Sequence, residues 1–206
     1  MTRNTLALLV AFALGAGSAY GQEGTAGAGR FEVGAFPGGA IFFTESGNGN
    51  EPNFGNYALG GSLTFNLNRY VGVEGEGGGT VGIRQNFTAA ETPFVNQRTP
   101  GMWMYHGNVI VNPVGNDRAF VPYATGGVGG LTMAPWGDVD VLGVTTHETY
   151  LTGNAGGGLK WFSTQRFGVR GDYRFFAVRN KDTAPWFFGN ENRFGHRVQA
   201  GLIFTY

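Results

Sequence analysis

In stretch after stretch this chain places apolar side chains at every second position. A helix repeats its apolar face about every 3.6 residues, whereas a period of two belongs to a strand with one apolar face. In "YALGGSLTFNL", Tyr57, Leu59, Leu63, Phe65 and Leu67 share one face, and Ala58, Gly60, Ser62, Thr64 and Asn66 share the other. In "YVGVEGEGG", Val71 and Val73 oppose Gly72, Glu74 and Glu76. In "WMYHGNVIV", Trp103, Tyr105, Val109 and Val111 oppose Met104, His106, Asn108 and Ile110. Ala155, Leu159 and Trp161 oppose Asn154, Gly156, Gly158 and Lys160, and Phe167, Val169, Tyr173 and Phe175 oppose Gly168, Arg170, Asp172 and Arg174. The chain ends on Val198, Ala200, Leu202, Phe204 and Tyr206, opposite Arg197, Gln199 and Thr205, with Ile203 as the exception. Two stretches are less regular. "RFEVGAFPGGAIFF" carries Pro37 and a glycine pair, which predicts a bulge or kink. "FVPYATGGVGGL" is mostly small residues, and its faces stay unassigned.

The connections alternate in length. Long polar stretches cover 44–56, 84–101, 132–148 and 177–193, and shorter links fall at Asn68–Arg69, Asn112–Ala119 and Ser163–Arg166. Four long and three shorter connections join eight strands and leave both termini on the short-turn side. Strands of about ten residues suit the crossing of a bilayer. Hydrocarbon offers no partner to a backbone N–H or C=O, so a sheet there must close on itself. The expected fold is all-β: an eight-stranded antiparallel up-and-down transmembrane β-barrel over residues 30–206.

"MTRNTLALLVAFALGAGSAYGQ" joins Arg3 to an apolar run from Leu6 to Leu14 and then small residues, the layout of a secretory signal peptide. The run is short of the ~20 residues a membrane-spanning helix needs. Cleavage after Ala19 or after Gly21 fits, and residues 1–21 are taken as the signal peptide, with 22–29 as a flexible leader. The destination is a Gram-negative-type outer membrane, reached through the periplasm.

Alternation alone does not say whether the apolar face points out or in. A soluble barrel of the lipocalin type puts it inside. Here the opposite faces collect Glu32, Glu74, Glu76, Lys160, Arg170, Asp172, Arg174 and Arg197 among many of the chain's 38 glycines. Charges of both signs beside small residues suit a narrow interior, where each buried charge needs a partner. The expectation is a lumenal network joining Glu74 and Glu76 to Arg170, Arg174 or Arg197. The aromatics fit the same orientation. Phe65, Tyr70, Phe120, Tyr123, Trp161, Phe162, Phe167, Phe204 and Tyr206 lie near the short-turn ends. Tyr57, Trp103, Tyr105, Tyr150, Phe175, Phe176 and Phe194 lie near the long-loop ends, so two interfacial girdles are expected.

With this layout, the Pro-Tyr, glycine-rich segment "VPYATGGVGG" and the terminal strand ending in an aromatic, the chain resembles the outer-membrane β-barrel domain family. Its relevant members are the small eight-stranded barrels such as the transmembrane domain of OmpA and OmpX. The resemblance covers about residues 30–206. It implies that Val198, Ala200, Leu202, Phe204 and Tyr206 form the signal read by the barrel-assembly machinery.

Chemistry is thin. The charge is balanced, 14 basic against 14 acidic residues, so no nucleic-acid footprint exists, and the absence of cysteine excludes disulfides and thiolate metal sites. No metal site and no cofactor are expected; Asp138, Asp140, Glu51 and Glu91 are scattered acidic loop residues. The candidate for a lipid-modifying enzyme is "THETY", with His147, Glu148 and Thr149, where threonine stands in place of serine. The favoured reading assigns no catalytic residue. It is a monomeric, non-enzymatic outer-membrane protein, side-chain-filled, surrounded by outer-membrane lipids and presenting its four long loops to an extracellular ligand. Aromatic residues in those loops, Phe87, Phe94, Trp136, Phe187 and Phe188, suit such contacts. A narrow channel for small or apolar solutes is the alternative.

Overall fold

A computed structural model describes residues 29–44, 54–89, 92–134, 147–181 and 192–206. The expected signal peptide and most of the leader lie outside these residues, as do Glu51, Glu91, Trp136, Asp138, Asp140, Phe187 and Phe188.

Ten strands follow one another: β1 (Phe31–Thr44), β2 (Phe54–Asn66), β3 (Val71–Val81), β4 (Arg84–Ala89), β5 (Thr92–Arg98), β6 (Gly101–Val111), β7 (Phe120–Ala134), β8 (Glu148–Phe162), β9 (Phe167–Val178) and β10 (Arg193–Thr205). Eight of them close a barrel in the order β1-β10-β9-β8-β7-β6-β3-β2. Every neighbouring pair is antiparallel, so the chain runs up and down around the barrel, and β10 returns to β1 to remove the last open edge. There Val33 faces Phe204, Ala35 faces Leu202, and Phe31 and Tyr206 exchange backbone hydrogen bonds of 3.0 Å. The register of β1 slips between Ala35 and Gly38, at the Pro37 segment, because proline cannot donate to a ladder.

The stretch 84–101, expected as a loop, contains a separate two-stranded hairpin of β4 and β5. The other long connections are shorter than their polarity suggests. β7 continues through Thr132 to Ala134 and β2 begins at Phe54, because backbone pairing does not require apolar side chains.

The two tight turns use one device. In the β2–β3 turn the Asn68 carboxamide oxygen accepts from the N–H of Tyr70 (2.8 Å) and Val71 (2.9 Å). In the β8–β9 turn the Thr164 hydroxyl accepts from the N–H of Arg166 (3.3 Å) and Phe167 (2.9 Å). Both side chains replace a backbone acceptor where the strand reverses. The β6–β7 turn is longer and passes through Gly115, whose φ of 83° disfavours any other residue.

Outward positions form a lipid-type surface: Leu63 is 66 % exposed, Val128 67 %, and Trp103 61 %. Midway along most strands the outward residues become small, with Val128 on β7 and Tyr173 on β9 as exceptions. Gly61 lies beside Ala35 and Gly77, Gly75 beside Gly107, and Gly171 beside Ala200. Nothing stands within 4 Å of a side chain built at Gly75, Gly77, Gly107 or Gly171. Inward glycines are different in kind. A Cβ at Gly156 would lie 2.0 Å from the Tyr173 carbonyl oxygen on β9. Gly156→Val is therefore expected to lower stability by about 1–3 kcal/mol through overpacking, whereas the outward Gly75→Val leaves it unchanged or raises it. The urea midpoint of the heat-modifiable gel band measures both.

Candidate functional site in the barrel lumen

Alternation sends one side chain in two into the barrel, and in an eight-stranded barrel these side chains fill the interior. The eight charged residues singled out from the sequence all lie on inward faces of β1, β3, β8, β9 and β10, and all eight are buried. Four are carboxylates (Glu32, Glu74, Glu76, Asp172) and four are cations (Lys160, Arg170, Arg174, Arg197).

Their geometry is that of one connected belt. Arg170 donates to Glu74 from one guanidinium nitrogen and to Asp172 (2.8 Å) from another. Arg174 donates to Glu74 (2.9 Å), to Asp172 (3.0 Å) and pairs with Glu76 at 3.0 Å. Arg197 donates to Glu76, and Lys160 donates to Glu32 at 2.8 Å. Neutral groups take up remaining capacity. Tyr123 accepts from Arg170 (2.7 Å) and donates to Asp172 (2.5 Å). Asn108 donates to Glu74 (3.1 Å) and accepts from Asn154 (2.9 Å), whose own carbonyl accepts from Arg174 (3.2 Å). Planar guanidinium groups suit this role because each offers five donors in fixed directions.

Apolar layers cap the belt at both ends. Toward the end with the long connections, Ile41, Phe43, Phe54, Met102, Met104, Leu131, Met133, Tyr150, Phe176 and Val178 form a buried plug. Toward the end with the tight turns, Val121, Phe162 and Ile203 form a smaller one. The arginines bridge the layers. Arg170 stacks over the rings of Phe36 (5.3 Å) and Tyr123 (4.6 Å), and Arg197 over Phe176 (5.2 Å).

Four aromatics expected in the lipid girdles are inward instead: Tyr123, Tyr150, Phe162 and Phe176, each at most 5 % exposed. Two of them adjoin another aromatic, and of Trp161 and Phe162, or Phe175 and Phe176, only one of each pair can face lipid. Tyr123 lies between outward Pro122 and Ala124, so its parity was hidden by the small residues of that segment. Isolated girdle residues such as Phe65, Trp103, Tyr105 and Phe194 sit on outward positions.

Val198, Ala200, Leu202 and Phe204 on β10, and Tyr206 just after it, are all exposed on the outer side. The hydroxyl of Tyr173 and Nδ1 of His196 lie 2.8 Å apart on the same outer surface. Inside, His106 Nε2 is 2.8 Å from the Thr152 hydroxyl, below the plug. The segment His147, Glu148 and Thr149 is not arranged as nucleophile, base and orienter. Glu148 accepts from Lys181 (2.6 Å), the Thr149 hydroxyl pairs with Thr132 (2.8 Å), and His147 is exposed. Among the described residues no three His, Asp or Glu side chains converge as metal ligands.

The belt carries a stability forecast. Lys160→Met leaves Glu32 buried with only Arg170, at 3.9 Å, as a cationic partner and is expected to cost up to about 3 kcal/mol. Replacing the pair together, Glu32→Leu with Lys160→Met, is expected to recover most of that loss. Equilibrium unfolding in urea distinguishes the two.

No curated protein sequence matches the chain. Among solved structures, Neisserial surface protein A aligns with a TM-score of 0.59 at 11 % identity, covering 85 % of this chain and 97 % of that one. The outer membrane protein OprG from Pseudomonas aeruginosa aligns with a TM-score of 0.50 at 12 % identity, covering 88 % and 98 %. These likenesses concern the fold. The family model for the outer membrane protein beta-barrel domain matches residues 5–202, and the chain accordingly belongs to that family of outer-membrane barrels.

Proposed function

We propose that this chain is a non-enzymatic integral outer-membrane protein. Its barrel is a closed, side-chain-filled support that holds the four long connections outside the cell, for envelope integrity or surface interaction. The observation that carries this reading is the lumen: a charge-balanced belt lies between two apolar plugs, and Arg170 and Arg174 are buried completely. The outward terminal strand supports recognition by the barrel-assembly machinery, and the layout of residues 1–21 supports export by a signal peptide. The barrel works as a monomer among outer-membrane lipids, and an extracellular ligand meets the long connections.

A second reading has one observation in its favour. An open hollow of about 620 Å3 at the extracellular ends of β1 and β2 is lined by Ala40, Phe42, Phe43, Phe54, Tyr57 and Ile83, with Asn56 and Gln85 beside them. Its mostly apolar lining suits a small apolar solute.

Planar-bilayer recording separates the two. The wild-type barrel is expected to show no stable unitary steps. Phe176→Ala with Met102→Ala, which thins the upper plug, is expected to stay silent because the belt beneath it remains closed. Reproducible steps from the wild type, or swelling of proteoliposomes in a small apolar solute, decide for the channel.

A further inference from the structure

We propose that the periplasmic rim is a binding ring for anionic phospholipid headgroups of the inner leaflet. The inference rests on the barrel being an outer-membrane one with its tight turns in the periplasm. Each strand that rises from that end, β1, β3, β7 and β9, is preceded by one arginine: Arg30, Arg69, Arg118 and Arg166. These are alternate strands in the closed order, so the four arginines are distributed around the mouth. All four are exposed.

Each arginine is followed within two residues by an exposed aromatic. Phe31 is 47 % exposed, Tyr70 43 %, Phe120 56 % and Phe167 42 %. The ring sits at the hydrocarbon boundary, and the guanidinium beside it stands at the height of the phosphates. Arg30 lies over the Phe65 ring (5.0 Å) and Arg69 over the Tyr70 ring (4.7 Å), and Arg69 also donates to the Tyr70 hydroxyl and to Asp117 (3.5 Å). Arg118 and Arg166 make no ion pair among the described residues. The one side-chain carboxylate described on this rim is Asp117, 3.5 Å from Arg69, so the excess is positive. The lumenal belt is neutral and the long connections hold more acidic than basic residues. The chain's overall neutrality therefore hides a positive periplasmic mouth, the charge that attracts anionic headgroups.

Two native tryptophans report on the two ends. Trp161, 52 % exposed, lies on β8 between β7 and β9, beside Phe120 across the ladder. Trp103, 61 % exposed, lies at the extracellular end. The full chain is reconstituted in phosphatidylcholine bilayers containing phosphatidylglycerol. One variant, W103F/W136F/W186F, keeps Trp161, and another, W136F/W161F/W186F, keeps Trp103. At equal mole fraction, brominated phosphatidylglycerol is expected to quench Trp161 severalfold more than brominated phosphatidylcholine, while Trp103 is quenched equally by both. Adding Arg118→Gln and Arg166→Gln is expected to bring the Trp161 ratio near one, roughly a fivefold loss per arginine at most. Arg118→Lys with Arg166→Lys, and low salt, preserve it; high salt removes it.

Equal quenching of Trp161 by both lipids overturns the proposal, as does a preference that survives the glutamine substitutions or appears equally at Trp103. Peptidoglycan co-sedimentation that needs the four arginines, with no lipid preference, overturns it in favour of the cell wall. Heat-modifiable migration confirms that each variant is folded, and the salt series on the wild type decides if a variant is not. If neither lipid quenches either tryptophan, it is the membrane-barrel reading that has failed.

Discussion

Everything in this molecule follows from the cost of leaving a backbone hydrogen-bonding group unpaired in hydrocarbon. A sheet with an open edge carries a row of such groups, so the pairing of β1 with β10 is a condition on the rest of the fold. Eight strands, alternating sides and the return of the terminal strand are the ways this sequence meets it. The same condition explains why the Asn68 and Thr164 side chains supply acceptors where the backbone reverses, and why the one proline-bearing stretch of β1 slips register instead of breaking the ladder.

Closure then creates a second demand. An eight-stranded barrel has room inside for side chains and little else, and polar side chains enclosed there must satisfy one another. Glu74 illustrates the solution. It receives two arginines, the Thr64 hydroxyl and the Asn108 amide. The balance of four carboxylates against four cations leaves no net charge within the belt. Desolvation offsets much of the attraction within such a belt, so its net contribution to stability is smaller than its many contacts suggest.

The strand faces were legible wherever large apolar residues alternated with polar ones, as in β2, β3, β6, β9 and β10. They were not legible in β7, where Pro122, Ala124 and Gly126 carry no outward signal, and this is why Tyr123 was assigned to the wrong side. The inward parity of Glu74 or Arg170 is likewise a local property. Which carboxylate meets which cation is not. Glu32 and Lys160 are 128 positions apart, and only the closed ring brings β1 and β8 across the lumen from each other. The β4–β5 hairpin is not legible in the sequence because its alternation is short and interrupted by a one-residue slip near Asn86.

The small outward residues at mid-strand give the barrel the outline of a spool. Bulky rings and aliphatic chains widen it near both water boundaries, while Gly75, Gly107 and Gly171 narrow it between them. Acyl chains from the two leaflets must bend inward there to fill the hollow. Sliding the protein along the membrane normal would press a wide rim into chains packed around a narrow centre, so the contour itself sets the depth at which the molecule rests. A cylinder of uniform width would need its charged ends to do that; this one is centred by its shape.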